Sequence, residues 1–237
     1  MALPKLNVPK YKLKLPSDGR TVNYRPFLVK EEKLLLLATE TGEQADLMSA
    51  IKTIITECTD IQDLDQLATF DIEFVFLQIR GKSVGESVEL SVTCPDDGLT
   101  EVPVNIPLNE IKVIKTKGHK PDIKLSTDCV LTMSYPSLDT FVSMNFVGDQ
   151  QPGVDQIFEM AASCVKTITD GEEVHDCTQL PKEEIMEFFE QLSSKQFMQI
   201  QDFFETMPKL SHTINVINPK TKKDNEIVLE GLASFFE

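Results

Sequence analysis

The sequence has little of the material from which catalytic sites are built. It contains three histidines and no tryptophan, and it lacks the GxSxG motif of hydrolases and the glycine-rich dinucleotide motif. Residues 81–85 contain Gly-Lys-Ser, but the upstream glycine and the preceding strand of a phosphate-binding loop are missing. Nothing around the cysteines marks one as an activated nucleophile. We therefore expect no catalytic residues and no cofactor, and we predict that the protein is not an enzyme.

Metal ligands and disulfide patterns are equally sparse. His175 and Cys177 could supply two zinc ligands, but a closed zinc site needs about four, and no second pair with a recognisable spacing occurs. Cys94 begins the turn CPDDG, which lacks the second cysteine of a CxxC hairpin. The five cysteines are an odd number and widely spread, which is typical of reduced thiols in a cytoplasm. We expect no bound metal.

Positive charge and long apolar runs are also scarce. The 38 acidic residues outnumber the 23 basic ones, and the formal net charge of −15 repels phosphate backbones. The short basic stretch at 219–223 is flanked by acids and is typical of a hairpin turn. The leucine block at 34–37 is far shorter than the ~20 residues of a membrane span, and the N-terminus lacks the features of a signal peptide. We expect neither nucleic acid nor a membrane as a partner.

What the sequence does contain is a globular balance of apolar and charged residues, at 41% and 26%. Alternating apolar residues at 11–15, the turn at 16–19 and a strand at 21–24 predict an N-terminal hairpin. Four consecutive leucines then follow a charged turn. In a helix, Leu34, Leu37 and Ala38 share a face that the other two leucines widen. We interpret this face as the inner stripe of a packed helix, with a partner surface as the alternative.

Further patterns divide the rest of the chain. Period-two alternation at 88–92 and 101–106 predicts a β-hairpin, and 111–114 and 129–135 are further strand candidates. Residues 154–168 read as one helix closed by a turn at Asp170, and a capping-box pattern at Ser193 and Gln196 starts another. The remaining predictions are helices over 43–58, 64–81 and from Pro181, a loop at 115–121, and a closing hairpin over 212–217 and from 226.

Together these patterns predict an α+β protein. It has an N-terminal hairpin and helices, a central antiparallel β region, and a C-terminal helical bundle closed by a hairpin. Residues 1–149 would form a mixed α+β region with the two hairpins, and residues 150–237 a helical region with the closing hairpin. The best break lies at 148–153, but no linker forces a boundary, so one continuous domain is the alternative.

Three segments taken together resemble the baseplate hub subunit family of T4-type tailed bacteriophages. They are MALPKLNVPKYKLKLPSDG, YRPFLVKEEKLLLLA and NPKTKKDNEIVLEGLASFFE, with FDIEFVFLQIRGKSVGE between the last two. None is a catalytic signature, and their specificity lies in their joint order. The resemblance implies assembly in the cytoplasm of an infected cell, followed either by a place in the tail baseplate of the virion or by release as a tail-assembly chaperone. The implied partners are other baseplate hub or tape-measure proteins, and the oligomeric state, including a homo-oligomer, stays open.

Two groups of residues are candidates for partner contact. Arg25, Phe27 and Leu28 lie in the turn before the leucine block, and Leu232, Phe235 and Phe236 lie in the apolar tail. Chain ends fray unless they dock, and aromatic anchors dominate the affinity of many interfaces. The tail docks either on its own domain, which is our preferred interpretation, or on a neighbouring protein.

Overall fold

The computed structural model describes residues 7–41, 44–137, 140 and 154–235. Two compact units are present. The first is built from the described residues within Met1–Leu64, Phe70–Ile114 and Lys209–Glu237, and the second from those within Asp65–Thr69 and Lys115–Pro208. The break predicted at 148–153 lies outside the described residues. Within the described ranges, no helix has both the length and the apolar character that crossing a membrane requires.

The first unit opens with the predicted hairpin, which is confirmed. Strands β1 and β2 pair antiparallel with Tyr11 opposite Tyr24. Leu15 and Val22 are buried, whereas the lysines between the apolar residues of β1 are exposed, as the alternation requires. The hairpin and the helices that follow have these bounds: β1 Tyr11–Lys14, β2 Thr21–Tyr24, α1 Val29–Thr41, α2 Gln44–Cys58 and α3 Thr69–Ser83.

Two small sheets complete the first unit. Strands β3 (Ser87–Thr93) and β4 (Glu101–Pro107) form the predicted central hairpin, with Val88 opposite Ile106. The closing hairpin consists of β10 (Lys209–Ile217) and β11 (Asp224–Glu230). Strand β5 (Lys112–Ile114) pairs with β10, so the sheet order is β11-β10-β5. Strand β10 therefore connects the C-terminal segment of this unit to the segment that ends at Ile114.

Within its described residues, the second unit combines three helices with a four-stranded antiparallel sheet in the order β6-β7-β8-β9. The predicted capping box at Ser193 is confirmed, because its side chain and that of Gln196 satisfy each other's backbone N–H groups. The buried core includes Leu131, Phe189, Ile200 and Phe203. The element bounds are β6 Asp122–Lys124, β7 Cys129–Met133, α4 Val154–Ser163, β8 Val165–Asp170, β9 Glu173–Asp176, α5 Lys182–Glu190 and α6 Ser194–Thr206.

The predicted fold class is wrong. The structure has six helices interspersed with four small antiparallel sheets in its described part, and the C-terminal third is not a helical bundle. The predicted helix at 154–168 ends at Ser163, and the chain continues as β8. Val165 and the three consecutive residues Thr167 to Thr169 are β-branched, and β-branched residues favour strands. Gly171, at φ 62°, then turns β8 back onto β9 rather than ending a helix.

Candidate protein-contact surface

A buried ion pair fixes the start of α1. Arg25 Nη2 donates to Glu31 Oε1 at 2.8 Å, and the Leu28 N–H donates to Glu31 Oε2 at 2.7 Å. Leu28 precedes the helix and Glu31 is its third residue, so this second bond is half of a capping box. The Glu31 side chain is only 3% exposed. An acidic residue therefore occupies the inner face of α1.

The same arginine reaches the end of α2. Arg25 Nη2 also donates to the Glu57 carbonyl at 3.0 Å, in the last helical turn, where a cation is favourable. Lys30 Nζ lies 3.1 Å from Glu31 Oε1 and 3.2 Å from Glu57 Oε2. Burial alone would raise the pKa of Glu31, but the hydrogen bonds from Arg25, Leu28 and Lys30 outweigh it and lower the pKa to about 2. The carboxylate is thus held ionised, and α1 is held in one orientation against α2.

This orientation leaves apolar residues of α1 exposed. Glu31 and Ala38 face inward, whereas Leu36 and Leu37 are 59% and 51% exposed. Our interpretation of the leucines as an inner stripe is wrong, since none of the four is buried. Successive helical residues are about 100° apart, so four in a row span roughly 300° and cannot share one face.

Four exposed side chains define what we call the α1 apolar surface: Leu28, Val29, Leu36 and Leu37. Val29 and Leu36 are seven residues apart and lie on the same side of the helix. The exposed charges of Lys33 and Glu40 lie along the same side. Exposed apolar residues among charged ones are the composition expected of a protein-contact surface.

The structure separates the two predicted contact groups. Leu28 is exposed, whereas Phe27 is buried and its N–H donates to Ser83 Oγ at the end of α3. In the tail, the Leu232 N–H donates to Glu73 Oε1 at 3.0 Å. Glu73 and Ser83 are ten residues apart on α3, which is roughly 15 Å along its axis. The two groups are therefore anchored near opposite ends of one helix.

Three of the six predicted contact residues, Phe27, Leu232 and Phe235, are buried within the first unit. Arg25 is largely enclosed by its ion pair, and Leu232 and Phe235 are buried. Phe236 lies outside the described residues. Burial within one chain does not test contact with a partner, so partner contact at these six residues stays a prediction. For the leucines of α1 a partner surface was only the alternative interpretation, because their sequence pattern fits either side of the helix.

The structure also gives the state of the cysteine thiols and the surroundings of the candidate metal ligands. All five cysteines are free, and burial raises the pKa of each thiol, that of Cys58 to about 11 and that of Cys164 to about 12. Neutral thiols are poor nucleophiles. Across the described ranges, no three histidine, cysteine, aspartate or glutamate side chains come together as a metal site.

Comparison with known proteins assigns the chain to a class of viral structural proteins. Residues 8–237 match the family described as T4 bacteriophage base plate protein. Because the match covers nearly the whole chain, this protein belongs to that family. No curated protein and no solved structure matches the chain significantly.

Proposed function

We propose that this protein is a non-enzymatic component of the baseplate hub that acts through contacts with other hub or tape-measure proteins. It would assemble in the host cytoplasm and remain in the tail of the virion. Membership of the baseplate family supports the general role. The α1 apolar surface supports the mode of action, because a rigidly oriented helix that exposes leucines is a ready contact site.

The contact residues are assigned different parts in this proposal. Leu28 and the exposed leucines of α1 would touch the partner directly. Arg25 and Phe27 would position them, since both are held inside the unit. The tail residues Leu232 and Phe235 would contribute by fixing the end of the chain. Deleting the last six residues would remove these two buried side chains, so loss of assembly after that deletion would not report on contact alone.

A sharper test replaces exposed residues only. The double variant Leu36→Lys/Leu37→Lys should fold normally, because exposed side chains contribute little to stability. A phage with an amber codon in its own copy of this gene can be complemented with the variant. We expect the yield of infectious particles to fall by about tenfold or more, as for the loss of interface hot spots.

The matched control is Val84→Lys/Leu99→Lys. Both residues are exposed apolar side chains of the first unit, at 59% and 81%, outside the α1 apolar surface. This control should complement fully. Normal yields with the Leu36/Leu37 variant would refute the assignment of α1 as a contact surface. Mass spectrometry of purified particles separates a resident hub component from a tail-assembly chaperone, since only the former is present in them.

A further inference from the structure

Strand β9 is an edge strand of the sheet in the second unit. The strand order places it last, and no other strand of the described ranges pairs with its outer side. All four of its residues are exposed, and Val174 is 65% exposed. Unpaired strand edges are templates for a further strand.

The hairpin geometry shows which backbone groups are free. Residues 171 and 172 form a two-residue turn closed by the pair Asp170 and Glu173, and Ile168 lies opposite His175. Hydrogen-bonded and non-hydrogen-bonded pairs alternate along an antiparallel ladder, starting from the closing pair. His175 therefore bonds toward β8, and the N–H and C=O groups of Val174 point outward.

An apolar recess adjoins this edge. It has a volume of about 370 Å³ and lies between the sheet and α5. Ile168, Leu180, Ile185 and Phe188 supply its apolar lining, and His175 also lines it. A residue of an added strand opposite His175 would point its side chain to the same face as His175. One apolar side chain of that strand would thus enter the recess.

The charges around β9 define the chemistry of the occupant. Residues 165–184 carry six carboxylates and two lysines. Asp170 and Glu184 line the recess, and Glu173 and Asp176 are exposed on β9. Lysine or arginine beside the apolar anchor would complement these carboxylates, whereas a second copy of this acidic chain would be repelled.

We propose that β9 binds an extended basic segment of another baseplate protein by strand addition, with one apolar side chain in the recess. This inference rests on the proposed function, in which the protein acts through protein contacts. It adds a second contact surface, in the second unit, whose recognition is through the backbone. It is independent of the α1 apolar surface.

The test uses a fluorescein-labelled heptapeptide with leucine at its centre, threonines beside it and lysines at both ends. Fluorescence anisotropy with the full chain should show saturable binding, and amide exchange at Val174 should slow on binding. Val174→Pro removes the outward N–H without breaking the β8–β9 ladder. It should weaken binding about tenfold or more, because backbone hydrogen bonds are lost.

The matched control, Val174→Thr, keeps the N–H and should bind within about twofold of the parent, since the backbone carries recognition. Leu180→Lys, at the recess, should weaken binding as Val174→Pro does. It replaces the proline variant as the test if circular dichroism shows that the proline variant does not fold.

The proposal is overturned if the parent does not bind the peptide, if both variants bind normally, or if a peptide with glutamates in place of the lysines binds equally well. A concentration-dependent dimer abolished by Val174→Pro would assign the edge to a second copy and overturn it too. A negative result with the peptide would not affect the test of the α1 apolar surface, because that test measures particle yield and uses no peptide.

Discussion

At the scale of single residues, Glu31 and Glu73 show opposite consequences of enclosing a carboxyl group. Three hydrogen-bond donors compensate Glu31, and its pKa falls to about 2. Burial dominates at Glu73, where the Leu232 N–H compensates only in part, and the pKa rises to about 7. The first carboxylate therefore stabilises the unit at neutral pH, and the second destabilises it.

Replacing Arg25 should expose the cost of a buried, less compensated charge. We expect Arg25→Ala to lower the free energy of unfolding by about 2–3 kcal/mol at pH 7, below the usual cost of breaking a buried pair because Lys30 still contacts Glu31. Glu31 has a lowered pKa, so its stabilisation is present above pH 4.5 and is lost as the pH falls toward 2. The effect of the substitution should shrink over the same window in urea unfolding.

Arg20→Ala is the matched control for this prediction. Arg20 lies 3.8 Å from Asp18, and both side chains are more than half exposed, so its loss should cost less than about 0.5 kcal/mol. The double variant Arg25→Ala/Glu31→Gln should recover part of the stability. If Arg25→Ala and Arg20→Ala prove equally mild, the ion pair does not hold α1 in place.

Replacing Glu73 should raise the free energy of unfolding at high pH, whereas replacing Arg25 should lower it. A carboxyl pKa raised to about 7 means that the folded state keeps its proton between pH 4.5 and 7. Stability from this group is therefore highest below pH 4.5 and declines as the pH rises to 7, by up to about 3 kcal/mol. Glu73→Gln keeps an acceptor for Leu232 without the charge. It should unfold at higher urea than the parent at pH 8 and at similar urea at pH 4.5.

Glu89→Gln provides the control for the Glu73 prediction. Glu89 is exposed on β3 of the same unit, and because substitutions of exposed side chains have little effect on stability, Glu89→Gln should unfold at about the same urea concentration as the parent at both pH values. If Glu73→Gln differs from the parent by the same amount at both, the carboxyl of Glu73 ionises normally in the folded protein.

At the scale of elements, short-range patterns were readable from the sequence. The N-terminal hairpin, the β3–β4 hairpin and the capping box at Ser193 each depend on one short continuous stretch of sequence, and all three are present. The β8 strand was missed because its apolar residues fit a continued helix. Pairing with β7, which lies more than thirty residues earlier in the chain, distinguishes the two, and that pairing is not local.

The candidate contact surface was only partly readable for a related reason. The sequence marks the segment from Arg25 to the leucines as unusual, but it does not state which side of α1 is buried. That choice depends on Glu31 and its partners Arg25 and Lys30. In the sequence alone, these partners cannot be distinguished from ordinary surface charges. The β9 edge carried no sequence signal, since it follows from a strand order that the helical prediction excluded.

At the scale of the whole molecule, the first unit depends on both ends of the chain and the second does not. Strand β10 lies between β5 and β11, and Leu232 and Phe235 are buried in the same unit. The second unit contains no residue beyond Pro208. Removal of residues 209–237 should therefore unfold the first unit and spare the second, although the cut removes only the C-terminal end.

The reactivity of the native cysteines tests this prediction. Cys58 and Cys94 are buried in the first unit, and Cys164 and Cys177 in the second. In the truncated chain, N-ethylmaleimide should modify the first pair rapidly, because unfolding exposes them and lowers their raised pKa values toward normal. The second pair should remain protected, as all four are in the full-length control. Rapid modification of all four cysteines would mean that the two units unfold together. Protection of all four would mean that the first unit folds without β10 and β11.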